Sequence, residues 1–367
     1  MRLDLAIRGC RVLVGGELIE ASIGVAEGRV AAIAKDPHLP KAEVELNAHG
    51  LIALPGMVDM HVHLRDPGYE WKEDFHTGTM AAACGGVTVV ADMPNNRPPI
   101  TTTARLRRKV EEASAKAVVD YALYAAASRR LRELDGMFRE GVVGVKAYMA
   151  SRDPELVVDE GLLSRVARRV ARAGSLLLVH AEEVGELSSM GARSVLDYCR
   201  ARGPALEYRG VKAALRAIAG LDVRLHLCHL STIGSLRELR RAKQSGLKVT
   251  AETCPHYLLL TLRDVARLKA LAKVDPPIRG WRHRAELWRA IGEGLIDALA
   301  SDHAPHAPHE RWVDDPLEAP SGIASLEVAL PLIEDPRAIP SQGGPSGGGR
   351  RGRSARVDER GVEDNLA

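Results

Sequence analysis

Aromatic residues are scarce in this sequence: two Phe, seven Tyr and four Trp make up 4% of its 367 residues. Charged residues of both signs are abundant at 27%, a balance that suits ion-pair networks in a heat-stable protein. No apolar run reaches the roughly 18 residues needed to cross a bilayer, which excludes a spanning helix. The opening MRLDLAIRGCRVLVGGELIE alternates polar and apolar residues and carries acids early, unlike a basic-then-apolar secretory signal. A mature cytoplasmic protein is expected. The five cysteines (Cys10, Cys84, Cys199, Cys228, Cys254) are odd in number, far apart and lack a Cys-x-x-Cys, so neither a disulfide frame nor a thiolate zinc site is indicated. Net charge is also nearly absent: 51 basic against 48 acidic residues leave +3, too even to argue for nucleic acid as a partner.

What is present is the pattern of a large α/β enzyme. The length accommodates one barrel of roughly 250 residues plus an accessory domain. Residues 1–50 read as a small β domain with strands at Leu3–Ile7, Arg11–Val14, Ala21–Val25 and Arg29–Ala34, and a turn at Gly15-Gly16. From Leu51 the pattern becomes strand, turn and amphipathic helix in repetition, the mark of parallel βαβ units. Eight strand candidates follow: Ile52–Val62, Val87–Asp92, Val118–Ala125, Val142–Tyr148, Ser175–His180, Val223–His229, Lys248–Glu252 and Leu295–Ser301. Helical patterns such as Thr103–Lys116 and Glu160–Ala173 lie between them. Eight units predict a closed (β/α)₈ barrel over residues 51–334. The rival, a doubly wound open sheet, lacks its phosphate fingerprint after the first barrel strand.

Strand side chains alternate faces, so His61 and His63 in MVDMHVHLRDPG point the same way and can grip one metal. Alone the pair is equally well an ordinary strand. Other metal-capable residues, however, end other strands, where barrel enzymes place their active sites. They are Lys146 in GVKAYM, His180 in LLLVHAEE, His229 in RLHLCHLS and Asp302 in ALASDHAPH. Imidazole and carboxylate donors without thiolates favour zinc or a similar divalent ion. Their number implies two ions: His61, His63 and Asp302 on one, His180 and His229 on the other, with a bridging group between. Carbamylated Lys146 is the favoured bridge and Asp153 the alternative, the latter reading equally as a loop or helix-cap residue. Two ions roughly 3.5 to 4 Å apart suit metal-assisted hydrolysis, with Asp302 as general base and acid.

These motifs resemble those of the dihydroorotases, within the cyclic amidohydrolases. The resemblance covers roughly Leu51–Leu332 and rests on PGMVDMHVHLRDPGYEWKEDF, GGVTVVADMPNNRPP, GVKAYMAS, VHAEE, CHLS, ETCPHYLLLT, SDHAPH and APSGIASLEVALPL. It implies a zinc enzyme that interconverts (S)-dihydroorotate and N-carbamoyl-L-aspartate in pyrimidine synthesis. It also implies that Arg65 binds the substrate carboxylate, that His63, Asn95 and His306 contact substrate, and that Ser321 and Gly322 touch the ring through their backbone. A guanidinium is the group suited to a carboxylate; the bland alternative for Arg65 is an ion pair with Asp66 or Glu70. Allantoinases and hydantoinases are the near rivals, and Arg65, where allantoinases tend to have asparagine, tips the choice. The family commonly has asparagine where this chain has Asp275, and a carboxylate there would repel an acidic substrate. A third reading, from another class, is a non-catalytic scaffold for aspartate carbamoyltransferase, although every ligand position is filled. A homo-oligomer is compatible with the sequence. His226, His38, His49, His76, His283 and His309 match no ligand position and are read as solvated or core residues; His256 in CPHYL, where it could line the site, is read as structural.

The segment Asp335–Ala367 is rich in Gly, Arg, Ser and Pro without a periodic apolar face and is expected to be disordered. In the family the chain returns there to complete the small β-sandwich domain. Either a changed reading frame or a truncated chain would produce such a tail. Residues 1–50 would then form an incomplete sandwich with unpaired edges.

Overall fold

Pro55 divides what the sequence suggests is one long strand. Ile52–Ala53 pairs with Arg11–Val12, whereas Met57–Val62 opens the barrel, because a proline between them has no N–H to continue a ladder. The computed structural model describes residues 2–183 and 192–334, so the expected disorder of Asp335–Ala367 lies outside the described residues. The chain forms two units, Met1–Met57 and the part from Val58 onward, and the boundary falls beyond residue 50 for the reason just given.

The first unit is one five-stranded sheet. β1 (Leu3–Val14) pairs antiparallel with β2 (Glu17–Ala26), which pairs with β3 (Arg29–Ala34). β4 (Ala42–Asn47) and β5 (Ile52–Ala53) lie parallel to β1. Leu3–Ile7 and Arg11–Val14 are therefore a single strand, bent between Ile7 and Cys10. Gly9 takes the bend at φ 70°, where a Cβ would meet the His49 ring at 2.2 Å. β4 escaped sequence reading because its AEVELN pattern is acid-rich, which disfavours a strand by propensity alone. Two small clusters fill the sheet's inner positions, one around Cys10, Val12 and Ala21, the other around Leu3, Ala6 and Leu39. Leu13, Ile19, Val30, Val44 and Leu46 stay exposed.

The second unit is an eight-stranded parallel barrel in sequence order: β6 (Met57–Val62), β7 (Val87–Asp92), β8 (Asp120–Ala126), β9 (Gly144–Tyr148), β10 (Leu176–His180), β11 (Arg224–Leu227), β12 (Val249–Thr253) and β13 (Ala298–Leu299). Closure comes from a parallel bridge between Val62 and His303, with the His63 amide donating to the His303 carbonyl at 2.8 Å. Asp59 reinforces it by accepting from the His61 and Ser301 amides at 3.1 and 3.2 Å. Ala91, Met93, Tyr124, Leu178 and Cys228, on or just beyond β7, β8, β10 and β11, pack together.

The helices bury one stripe each. In Glu160–Arg172, capped by Asp159 on the Leu162 amide at 2.7 Å, the buried residues are Leu162, Leu163, Val166, Ala167 and Val170. Each large aliphatic in that stripe contributes roughly 1.5–3 kcal/mol by leaving water. The helix Thr103–Lys116 has the bounds read from the sequence. No helix among the described residues is long and apolar enough to cross a membrane.

Candidate metal centre and active site

Two of the barrel strands are shorter than their apolar runs suggest. The ladder ends at Leu227 and at Leu299, and His229 and Asp302 follow with left-handed φ of 38° and 47°. The chain thus turns out of the sheet at these residues, which places their side chains at the barrel mouth instead of within a strand. Arg65 has the same conformation, at φ 67°.

At that mouth the Nε2 atoms of His61 and His63 approach one oxygen, Asp302 Oδ1, at 3.3 and 3.1 Å. The His61 ring centroid is 5.3 Å from those of both His63 and His229. His180 Nδ1 lies 3.0 Å from His229 Nε2. Lys146, the fully buried centre of β9, is near enough for its charge to act on both His61 and His229. Its Nζ makes no hydrogen bond among the described residues, nor do His180 Nε2 and His229 Nδ1. Buried polar atoms without partners are costly, so their concentration here marks a place where something else binds.

The donor set fits divalent metal. Burial lowers His63 to about 4, and burial together with the charges of His180 and Lys146 holds His229 well below its ordinary value, so both imidazoles are neutral and able to ligate. Burial alone would raise Asp302, but the His61 charge and the close approach of His63 outweigh it and hold the carboxylate well below its ordinary value. Asp153 lies outside this cluster in structural terms: its carboxylate accepts from the Glu155 amide at 2.9 Å, in a loop turn.

Glu252 is one residue that sequence reasoning missed. It is completely buried, bonded to His61 Nδ1, 3.2 Å from His226 Nε2, and accepts from the His229 amide at 3.2 Å. Burial would raise its pKa, yet the charge of His61 and the hydrogen bonds from His226 and His61 bring it well down. The available signal was an acid on an otherwise inward-facing strand, VTAET. His226 thus has a structural task, as expected. Asn95 has an additional one: its Oδ1 accepts from His63 Nδ1 at 2.6 Å and so directs His63 Nε2 towards Asp302.

The other expected substrate residues gather around His306. Arg65 Nε donates to the Pro305 carbonyl at 3.0 Å, and its guanidinium is 3.3 Å from His306 Nε2. Lys72, unnoticed in the sequence, places its Nζ 3.0 Å from His306 Nδ1 and 2.8 Å from Glu310. Burial, then the charges of Arg65 and Lys72, push His306 down to about 2. The neutral ring accepts from Lys72 and donates through Nε2 to the Ser321 carbonyl at 2.9 Å. Gly322, at φ 150°, admits this approach, since a Cβ would meet the Ala304 carbonyl at 2.3 Å. The structural alternative for Arg65 is not realised: Asp66 pairs with Lys116 at 2.7 Å and Glu70 accepts from the Gly68 amide. His256 is buried with neither ring nitrogen hydrogen-bonded among the described residues, and with Cys254 and Asp302 forms another group of close donors. All five cysteines are unpaired, in keeping with their sequence spacing.

An eight-stranded parallel barrel whose mouth collects four histidines, a lysine and an aspartate defines a metal-dependent hydrolase. Residues 52–333 match the amidohydrolase family, and the chain belongs to it. A dihydroorotase of Methanosarcina acetivorans is 33% identical over 342 residues, covering 90% of this chain and 73% of its own. An allantoinase of Streptomyces avermitilis is 35% identical over 343 residues, covering 90% and 76%. Among solved structures, the L-hydantoinase (dihydropyrimidinase) from Arthrobacter aurescens superposes with a TM-score of 0.85 at 31% identity, covering 90% of this chain and 76% of that one.

Proposed function

We propose that the chain is a dihydroorotase, hydrolysing (S)-dihydroorotate reversibly to N-carbamoyl-L-aspartate. One observation carries the choice among ring substrates: two cations, Arg65 and Lys72, meet on the two sides of the neutral His306 ring. Burial and the charge of Arg65 lower Lys72, while Glu310 alone opposes them, so this corner favours an anion. Arg65 Nη1 has no partner among the described residues and is available to a carboxylate.

His61, His63 and Asp302 would hold one divalent ion, zinc being the expected choice, and His180 and His229 a second, with carbamylated Lys146 between them. Such a pair supplies a water that is nucleophilic at neutral pH and polarises the amide carbonyl. Asp302, ionised well below neutrality, accepts the proton of the attacking water and returns it to the ring nitrogen as the C–N bond breaks. Asn95 keeps its amide NH₂ for substrate while its oxygen steers His63. The Ser321–Gly322 backbone, tied to His306, bounds the ring.

Metal-loaded protein assayed in parallel with dihydroorotate, allantoin and hydantoin tests the reading. Turnover of dihydroorotate is expected, with R65M raising its KM by about 100-fold, the scale of a lost charged hydrogen-bond pair. Preference for allantoin or hydantoin, as with the allantoinase and hydantoinase relatives, would replace dihydroorotase with that reading. A scaffold for aspartate carbamoyltransferase would contain no metal, against the two equivalents expected here.

A further inference from the structure

Asp275 is the residue that an acidic substrate should not tolerate, and its surroundings show how the molecule accommodates it. Its carboxylate belongs to a buried chain of charges. Arg202, 5% exposed, bonds both oxygens of the fully buried Glu182 through Nε and Nη2 and reaches Asp275 Oδ1 through Nη1. The Tyr198 hydroxyl donates to the same Asp275 oxygen. Glu182 Oε2 in turn stands 3.5 Å from His180 Nε2, on a candidate metal ligand. The other end of the chain touches the ring-binding loop: the Gly322 amide donates to the Lys273 carbonyl at 2.9 Å, and Lys273 Nζ bonds the Ala319 carbonyl at 2.7 Å while lying 5.0 Å from the Tyr198 ring centroid. Arg202 is itself anchored, its carbonyl accepting from Arg279 Nη1 at 2.5 Å.

We infer that Arg202 is a specificity-determining positioning residue: it neutralises Asp275 beside the mouth, and so permits an anionic ring where the bare carboxylate would exclude one. The inference rests on the reading of the mouth as an acid-accepting site. Two features support the assignment of this role to Arg202 over a purely structural one. Its guanidinium serves two carboxylates, so the three groups carry one net negative charge with it and two without it. Asp275 is also the one member of the trio that reaches solvent, with 27% of its side chain exposed against 6% and 0% for Arg202 and Glu182. Burial would raise Asp275, but the charge of Arg202 and the Tyr198 hydrogen bond dominate, so the carboxylate is ionised and its charge has to be balanced.

The test compares calorimetric affinities for orotate, an anionic ring, and uracil, the same ring without its carboxylate, in metal-loaded protein. E182Q/R202M removes one buried charge of each sign and leaves Asp275 unbalanced. Its orotate-to-uracil affinity ratio is expected to fall about tenfold, the scale of one unit charge several ångströms away. Adding D275N should restore the ratio to within about threefold of the parent. D275N alone keeps the Glu182–Arg202 fork, so it reads the same charge even if the double variant fails to fold; its ratio should rise by a comparable factor. An unchanged ratio in D275N, a triple variant that does not recover, or a parent protein that does not bind orotate would each overturn the inference. The two readings separate cleanly. Orotate binding with recovery but no hydrolysis of dihydroorotate removes the proposed reaction alone, whereas hydrolysis without recovery removes the role of Arg202 alone.

Discussion

His61 Nδ1 is bonded to Glu252, and this contact decides which nitrogen of the imidazole faces the barrel mouth. A ring whose second nitrogen is fixed in this way presents the other in one tautomer and one orientation. E252Q is accordingly expected to weaken metal binding by about 10–100-fold while the protein remains folded. Competition with a chromophoric chelator measures it; unchanged affinity would show that His61 is oriented by something else.

Asp302 is expected to be the proton carrier. D302N should lower kcat by about 10²–10⁴, the range for loss of a positioned general base, with the circular dichroism spectrum preserved. Residual turnover within a few-fold of the parent would move the proton path to another residue.

Lys146 and Asp153 make opposite predictions. With Lys146 as the bridge, K146A loses metal and activity, D153A retains both, and protein reconstituted with ¹³C-bicarbonate shows a carbamate carbon resonance. Metal loss confined to D153A would assign the bridge to Asp153 instead. The fully buried Lys146 amine, without a hydrogen-bond partner among the described residues, favours the first outcome.

His283 provides a pH signature of stability remote from the chemistry. On the helix Trp281–Gly292, its Nδ1 accepts the Ile233 amide at 3.0 Å, and burial, helped by the Arg279 charge, lowers it to about 4. The folded pKa lies below the unfolded value of about 6.5, so the unfolded chain binds more protons between the two. The stabilisation is complete above pH 6.5 and is lost as pH falls towards 4. H283Q has nothing to titrate there. Going from pH 7 to 4.5, thermal melts should therefore show the parent losing a few degrees of Tm relative to H283Q. A Tm difference constant across that window would show that the ring is not held neutral.

Much of the barrel was legible because its strands are runs of apolar residues and its metal-capable side chains interrupt them. His61, His63, Lys146, His180, His229 and Asp302 could be read one by one, and the structure brings all six together. Strand ends were less legible: the apolar pattern of Val223–His229 runs past the ladder, since a residue leaving a sheet in a left-handed turn looks the same in sequence as one within it. Supporting contacts were the least visible. Glu252 lies 191 residues from His61, Lys72 lies 234 from His306, and Arg202 lies 73 residues before Asp275 in number but against it in space. No local pattern encodes such pairings, because they are set by the order in which eight strands close.

Three non-glycine residues at the mouth, Arg65, His229 and Asp302, hold left-handed backbone that costs of order 1 kcal/mol or more apiece. Selection for thermal endurance alone would place glycine or asparagine at Arg65 and His229, relieving the backbone and removing the chemistry together. Variants that gain heat resistance at these two positions should therefore lose turnover, and a laboratory search for hardier forms would do well to leave them out.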